Sequence, residues 1–302
     1  MVKTKKNHCA PYILPTHIHS NTLTQKNINI IKSATSHSCF SIESLRKIAD
    51  KWNNNYPQDI IHYNPRTTGK QLWDKINNKM NKQCSNELCW LKQSFIKETP
   101  LARELLDNFK PLMPNSWKNN QYEWLNTIDI RNVMKQYEIK HKDFEFIGPV
   151  PIDFDTQLDF GQCVVNELCK IDLSRLITKG KNKIGIIFNL DKHTQSGSHW
   201  VAMYLDYNNN GIYYWDSYGS RPVKEITTLM KKLKQQGSKL NKKLQIYINK
   251  TRHQYKNSEC GVYCLYFITS FLKGKTFNEI TKNIIDDDTM NSKRSDFFTK
   301  NS

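Results

Sequence analysis

The chain has 302 residues, with 45 basic against 28 acidic side chains, a formal net charge of +17 and a pI near 9.4. Hydrophobic residues make up 38% and aromatic residues 11%, enough for a packed core, which excludes global disorder. No run approaches the roughly 18 apolar residues of a membrane-spanning helix, and no apolar segment follows the basic N-terminus, so neither a membrane span nor a secretory signal is expected. The eight cysteines are irregularly spaced, which does not suggest a disulfide scaffold and favours a protein that works where thiols stay reduced.

The first third of the chain predicts a tail followed by helices. Residues 1–35 are polar and lack periodicity, so we interpret them as a tail. Residues 36–115 form a helical accessory region, with one helix beginning after Ser41 and two more in QLWDKINNKM and LARELLDNFK. The prolines and asparagines of PLMPNSWKNN mark the boundary to a domain over 116–302.

The second half alternates strand and helix patterns. KIGIIFNL predicts a buried strand, and HWVAMYLDY and GIYYWDSY flank Asn208 to Gly211, which predicts a hairpin. An amphipathic helix follows in VKEITTLMKKLKQQG. LQIYIN reads as a strand, and a largely apolar helix starts at Cys260.

Four residues of this half have the types that a thiol hydrolase needs. Cys260 begins a helix, whose N-terminal N–H groups favour a thiolate, and His199 lies 61 residues upstream as the candidate base. Asp216, 17 residues after His199, is placed to fix the imidazole tautomer. Gln254, six residues before Cys260, offers an amide to a developing oxyanion.

The spacing of HWV, WDS and Q-x5-C-G-V-Y resembles the adenain and SUMO-protease clan of cysteine peptidases, over roughly Trp117 to the C-terminus. The resemblance implies His199 as general base, Asp216 as its orienting partner, Cys260 as nucleophile and Gln254 as oxyanion-hole donor. It also implies that Trp124 and Trp200 wall a narrow channel that admits a Gly-Gly backbone. The expected fold is α+β and papain-like or adenain-like, with the Cys260 helix packed on a mostly antiparallel sheet and a helical N-terminal extension.

FIGPVPIDFD, TRHQYKNSECG and the extension are similar to the polyprotein-processing proteases of large cytoplasmic DNA viruses. This resemblance implies a thiol endopeptidase that cleaves Gly-Gly-type sites in viral core precursors, in the virion or at the cytoplasmic assembly site. An isopeptidase acting on SUMO or ubiquitin is the first alternative. A catalytically inactive, DNA-associated virion protein is the second.

Three further features have simpler interpretations. Cys84 and Cys89 lack the second ligand pair of a zinc site, so no metal and no cofactor is predicted. The acidic run 286–288 reads as a solvated helix end rather than a cation site. KKLKQQGSKLNKK and KGKNK read as a solvated basic face, with DNA contact left open.

Overall fold

The computed structural model describes residues 9–11 and 38–300. These residues divide into two compact units, one containing the chain up to Met113 and again from Ser295, the other spanning Pro114–Arg294. The predicted tail lies outside the described residues except for 9–11, where the Ala10 N–H donates to the Asn108 carbonyl at 2.8 Å. We call the two parts unit 1 and unit 2.

Unit 1 is a small helical unit around one apolar core. Its helices are α1 (Ile42–Asn55), α2 (Gly69–Met80), α3 (Glu87–Trp90) and α4 (Pro100–Leu106). The Ser41 hydroxyl accepts from the Ser44 N–H, so α1 begins where the sequence predicts. Leu45 and Ile48 of α1 are fully buried in the same cluster as Leu72 and Ile76 of α2.

The C-terminal residues 295–300 group with unit 1, whereas the sequence analysis included them in the catalytic domain. Backbone pairing explains the difference, because the Met113 N–H donates to the Thr299 carbonyl and the Thr299 N–H to the Pro111 carbonyl. Such nonlocal pairing leaves no periodic pattern in the sequence.

Unit 2 contains a five-stranded sheet with helices before, between and after its strands. The strands are β1 (Phe144–Pro151), β2 (Lys183–Asn189), β3 (Trp200–Asp206), β4 (Gly211–Trp215) and β5 (Gln245–Ile248). The helices, numbered on from unit 1, are α5 (Thr127–Lys140), α6 (Asn166–Cys169), α7 (Leu173–Thr178), α8 (Lys224–Lys239), α9 (Cys260–Leu272), α10 (Phe277–Lys282), α11 (Asp287–Ser292) and α12 (Arg294–Phe297), the last crossing the boundary into unit 1.

The sheet is mixed, in the order β1-β2-β3-β4-β5. The two inner pairs are antiparallel, and β3 and β4 form the predicted hairpin, but β1–β2 and β4–β5 are parallel. The expected α+β class is therefore confirmed, but the sheet has more parallel pairs than predicted. Parallel neighbours need a crossover connection, and here α6 and α7 lie between β1 and β2 while α8 lies between β4 and β5.

The cysteines differ from the sequence expectation. Three disulfides join Cys9 to Cys39, Cys84 to Cys89 and Cys163 to Cys169, while Cys260 and Cys264 are free and buried. Folding thus brings together cysteine pairs that spacing alone did not suggest. Within the described residues, no helix is both long enough and apolar enough to cross a membrane.

Candidate active site

His199 and Asp216 meet at one end of the β3–β4 hairpin. His199 immediately precedes β3 and Asp216 immediately follows β4, and the antiparallel register pairs Ala202 with Trp215. The start of one strand and the end of the other therefore lie side by side. The His199 Nε2 atom is 2.8 Å from the Asp216 Oδ1 atom, and the Asp216 side chain is 3% exposed.

Cys260 is the first residue of α9 and is buried. Cys260 lies close enough to the His199 ring to raise its pKa, and the Nε2 atom of that ring contacts Asp216. No side chain caps the N-terminus of α9. The first N–H groups of the helix therefore favour a negative charge on the Cys260 sulfur. These three side chains form a continuous Cys–His–Asp arrangement.

Gly261 allows α9 to approach the segment before α5. A Cβ atom at this position would lie 2.9 Å from the Cβ atom of Leu125, closer than ordinary van der Waals contact. A glycine is therefore needed at this position, and the group that approaches it is the Leu125 side chain.

The environment of His199 favours the imidazolium. Burial by itself lowers the pKa of His199, but hydrogen bonds to Asp216 and Cys260, together with the charges of both partners, outweigh it and raise the pKa to about 9. The protonated ring therefore persists at neutral pH. A proton held there can be given to a leaving amine.

Gln254 lies in the loop between β5 and α9 and is fully buried. Its Oε1 atom accepts from the Ser217 hydroxyl at 2.6 Å, and its Nε2 atom donates to the Lys256 carbonyl at 2.8 Å. These two bonds fix which end of the amide carries the nitrogen. An amide nitrogen has two N–H groups, and among the described residues the Gln254 nitrogen has one acceptor, the Lys256 carbonyl.

Sequence reasoning missed Tyr218 at this site. Its ring stacks on the His199 imidazole with centroids 4.6 Å apart and an interplanar angle of 18°. The Tyr218 N–H also donates to the Asp216 Oδ1 atom at 2.8 Å. The position of Tyr218 two residues after Asp216 was visible in the sequence, but its stacking partner is not implied by any spacing.

Trp124 and Trp200 line one open groove of about 400 Å³, together with residues of the 126–127, 149–151 and 189–197 segments. Trp124 is 41% exposed, whereas Trp200 is buried and its Nε1–H donates to the Leu125 carbonyl at 2.9 Å. We call this the tryptophan groove. The structure thus brings the two predicted substrate-binding residues to one groove, and their role in binding Gly-Gly stays a prediction.

The acidic run at 286–288 is not a uniformly solvated helix end. Asp286 caps α11 by accepting from the Thr289 N–H, and exposed Asp288 pairs with the Lys256 ammonium. Asp287, however, is only 6% exposed, and its carboxylate accepts from the Tyr255 and Lys256 N–H groups at 2.8 Å. The interpretation of the run as a solvated helix end is therefore wrong for Asp287, because the charge pattern does not indicate which of the three carboxylates is buried.

The other features weighed from sequence have structural explanations. Cys84 and Cys89 form a disulfide, so neither sulfur is available as a zinc ligand. In the described residues, one group of three potential metal ligands comes together, Cys9, Cys39 and Glu87, but both of its sulfurs are in a disulfide. The predicted basic face is present on α8, where three lysines are exposed: Lys231, Lys234 and Lys239. Contact between this face and DNA stays a hypothesis.

A cysteine at a helix N-terminus facing a histidine–aspartate pair on a sheet defines the class of the thiol proteases. Residues 177–301 match the family model described as "Ulp1 protease family, C-terminal catalytic domain". A thiol protease of Acanthamoeba polyphaga mimivirus is 34% identical over 275 residues, which cover 86% of this chain and 88% of that protein. The chain therefore belongs to the Ulp1 family of cysteine proteases.

Relatives of lower identity agree with this assignment. A cysteine protease of African swine fever virus is 25% identical over 244 residues, covering 76% of this chain and 88% of its own length. A crystal structure of an ASFV protease superimposes with a TM-score of 0.62 at 22% identity, covering 98% of this chain and 97% of that one. The structural similarity supports the α+β fold, with its helical N-terminal region, over nearly the whole chain.

Proposed function

We propose that this cysteine protease is an endopeptidase that cleaves Gly-Gly-type sites in viral structural precursors during virion maturation. The main supporting observation is the His199–Asp216 pair, whose Nε2 and Oδ1 atoms are 2.8 Å apart, with Cys260 at the start of α9 close enough to raise the pKa of His199. An enzyme with this role acts in the virion and at the cytoplasmic assembly site.

In the proposed reaction the Cys260 sulfur attacks the scissile carbonyl carbon and forms a tetrahedral oxyanion. The free N–H of Gln254 and backbone N–H groups at the start of α9 stabilise that oxygen. His199 then gives its proton to the leaving amine, the C–N bond breaks, and an acyl-thioester remains on Cys260. Water attacks the thioester carbonyl as it loses a proton to His199, the C–S bond breaks, and the carboxylic acid leaves with the Cys260 thiolate and protonated His199 restored.

The tryptophan groove supports the Gly-Gly assignment. Trp124 presents an exposed aromatic surface while Trp200 is held by its bond to Leu125, so two indoles border one groove in unit 2. A backbone without side chains passes between aromatic walls more easily than one with a Cβ at each residue. Relatives of this chain in two large DNA viruses support a viral precursor as the substrate.

A second candidate function is removal of SUMO or ubiquitin from conjugated proteins. One African swine fever virus relative carries the name SUMO-1 cysteine protease, and both modifiers also end in Gly-Gly. The chemistry on Cys260 would be the same, and only the surface that holds the substrate would differ. The inactive, DNA-associated alternative is disfavoured because the complete Cys–His–Asp series is present.

The test uses the purified full chain and its Cys260→Ser variant as the matched control. Each is incubated with candidate structural precursors, with the same precursors carrying Gly-Gly→Ala-Ala at the candidate site, and with SUMO- and ubiquitin-coumarin conjugates. We expect new N-termini directly after Gly-Gly in the wild-type reaction alone, and slow turnover of both conjugates. Faster cleavage of a conjugate than of any precursor would overturn the proposal in favour of the isopeptidase, and no cleavage of any substrate would favour the inactive protein.

The DNA-contact prediction is separable in the same assay. If α8 contacts DNA, added double-stranded DNA should change the rate of wild-type cleavage, and Lys231→Ala/Lys234→Ala should reduce that response. An unchanged rate, with no binding by gel shift at 0.1 M salt, would remove DNA as a partner.

A further inference from the structure

The Gln254 loop, residues 253–256, is held by two buried groups that the reaction scheme does not use. These are Ser217, which follows Asp216 at the end of β4, and Asp287, which begins α11. Both contact the loop directly through hydrogen bonds. Their common target is the segment that carries the proposed oxyanion donor.

Ser217 fixes both the backbone and the side chain of Gln254. Its carbonyl oxygen accepts from the His253 and Gln254 N–H groups at 2.8 and 2.9 Å, and its hydroxyl donates to the Gln254 Oε1 atom at 2.6 Å. Ser217 is fully buried, so water does not compete for these bonds. Because the hydroxyl occupies the amide oxygen, rotation of the amide by 180° would place two donors against each other unless the hydroxyl also turned.

Asp287 fixes the other end of the loop. Its Oδ2 atom accepts from the Tyr255 and Lys256 N–H groups, both at 2.8 Å. The carbonyl of the same Lys256 is the acceptor for the Gln254 Nε2 atom. The carboxylate and the Gln254 amide therefore both bond to the backbone of Lys256, the first to its N–H and the second to its carbonyl.

Asp287 also contacts the nucleophile's helix. Its Oδ1 atom lies 3.2 Å from the hydroxyl of Tyr263, which is in α9 three residues after Cys260. A buried carboxylate is costly unless donors compensate it, and here two backbone N–H groups do so, while the Tyr263 hydroxyl lies nearer to the Ile285 carbonyl, at 2.7 Å. The carboxylate thereby connects the oxyanion loop to the helix that bears the sulfur.

We propose that Asp287 and Ser217 are positioning residues of this protease, which hold the free N–H of Gln254 toward the oxyanion. The inference rests on the proposed role of Gln254. A small displacement of a correctly aimed group can cost about 100-fold in rate, so loss of either contact is expected to act on the chemical step. Neither residue lines the tryptophan groove, so we expect substrate binding there to be little changed.

Two reactions of the same sulfur separate positioning from general disruption. Hydrolysis of a Gly-Gly peptide amide passes through a tetrahedral oxyanion, whereas alkylation by iodoacetamide displaces iodide and forms no oxyanion. Alkylation needs the ionised sulfur and His199 only. A residue that acts through Gln254 must therefore affect hydrolysis and spare alkylation.

The experiment compares Asp287→Ala, Asp287→Asn, Ser217→Ala and Gln254→Ala, with Asp288→Ala as the matched control. For Asp287→Ala and Ser217→Ala we expect kcat for a Gly-Gly aminocoumarin peptide to fall about 10- to 100-fold, with KM within threefold and the Cys260 alkylation rate within twofold. Asp287→Asn keeps an acceptor for the N–H groups and should recover most of the rate. Asp288 is exposed, so its loss should leave all three quantities within twofold.

Double variants decide whether the two residues act through Gln254. Adding Asp287→Ala or Ser217→Ala to Gln254→Ala should lower kcat by less than twofold beyond the single Gln254 change. Full additivity, or an equal loss of alkylation and hydrolysis in every Asp287 and Ser217 variant, would overturn the proposal. If Gln254→Ala itself leaves kcat unchanged, the oxyanion role of Gln254 fails instead, so the two failures are distinguishable.

Discussion

The two units bury different kinds of residue. Apart from Ser38 and Thr299, the described part of unit 1 has an apolar interior, and two of the three disulfides lie in it. Among the described residues, every buried Asp, Glu, His and Arg belongs to unit 2. Several of these, including Asp216, Glu259 and Asp287, lie next to the reacting groups or to the loop that faces them.

This difference separates residues that stabilise from residues that react. Burying a polar group costs free energy unless its hydrogen bonds are restored, so a core built for stability alone has little reason to contain one. Unit 1 follows that rule. Unit 2 departs from it around Cys260, which is where strained or costly arrangements are expected to serve function.

The largest effect is expected for Asp216→Asn, which alters a buried polar group of unit 2. Removing the charge weakens the support for the His199 imidazolium and allows the wrong tautomer, so kcat should fall about 100- to 10,000-fold while the melting temperature changes little. Steady-state kinetics on a Gly-Gly aminocoumarin peptide, beside thermal unfolding, measures both. If the variant melts far below the wild type and retains most of its activity, Asp216 stabilises the fold rather than serving the reaction, which would contradict the comparison of the two units.

The converse change is Leu45→Ala in unit 1. Leu45 is fully buried, and its truncation leaves a cavity that should lower the free energy of unfolding by about 2–5 kcal/mol. Below its melting transition the variant should retain wild-type kcat on the short peptide, since no reacting group lies in that core. Urea unfolding and peptide kinetics test this, with Leu106→Ala as control because that leucine is 45% exposed and should cost less than about 0.5 kcal/mol. If Leu45→Ala lowered kcat as much as Asp216→Asn does, the proposed division between stabilising residues in unit 1 and reacting residues in unit 2 would be false.

A smaller effect, which can be measured on the wild-type enzyme, is the loss of kcat/KM at alkaline pH. The proposed leaving-group step needs protonated His199, whose pKa is raised to about 9, so kcat/KM should fall roughly tenfold per pH unit above that value. Asp216→Asn removes one of the causes of the raised pKa and should move this limit to lower pH. A wild-type limit already near pH 7 would contradict the electrostatic account of the site.

Local patterns predicted the parts of the site that depend on neighbours in sequence. The start of α9 at Cys260 and the β3–β4 hairpin follow from apolar runs and turn residues, and the hairpin alone brings His199 beside Asp216. The resemblance to a protease family provided the roles of the residues.

The supporting groups could not be predicted, because their contacts join segments far apart in the chain. Asp287 contacts backbone groups more than 30 residues away, and in the sequence it is one of three identical letters. The parallel outer strands and the Cys9–Cys39 disulfide were missed for the same reason. Which carboxylate turns inward is decided by the tertiary fold rather than by local charge.

The most direct test of the central claim is peptide mapping by mass spectrometry after reaction with a Gly-Gly vinyl sulfone. We expect one adduct per chain, on Cys260 and not on its neighbour Cys264, and a labelling rate at least about 100-fold lower in His199→Ala. An adduct on a different cysteine, or labelling of Cys260 that continues at the wild-type rate without His199, would contradict it.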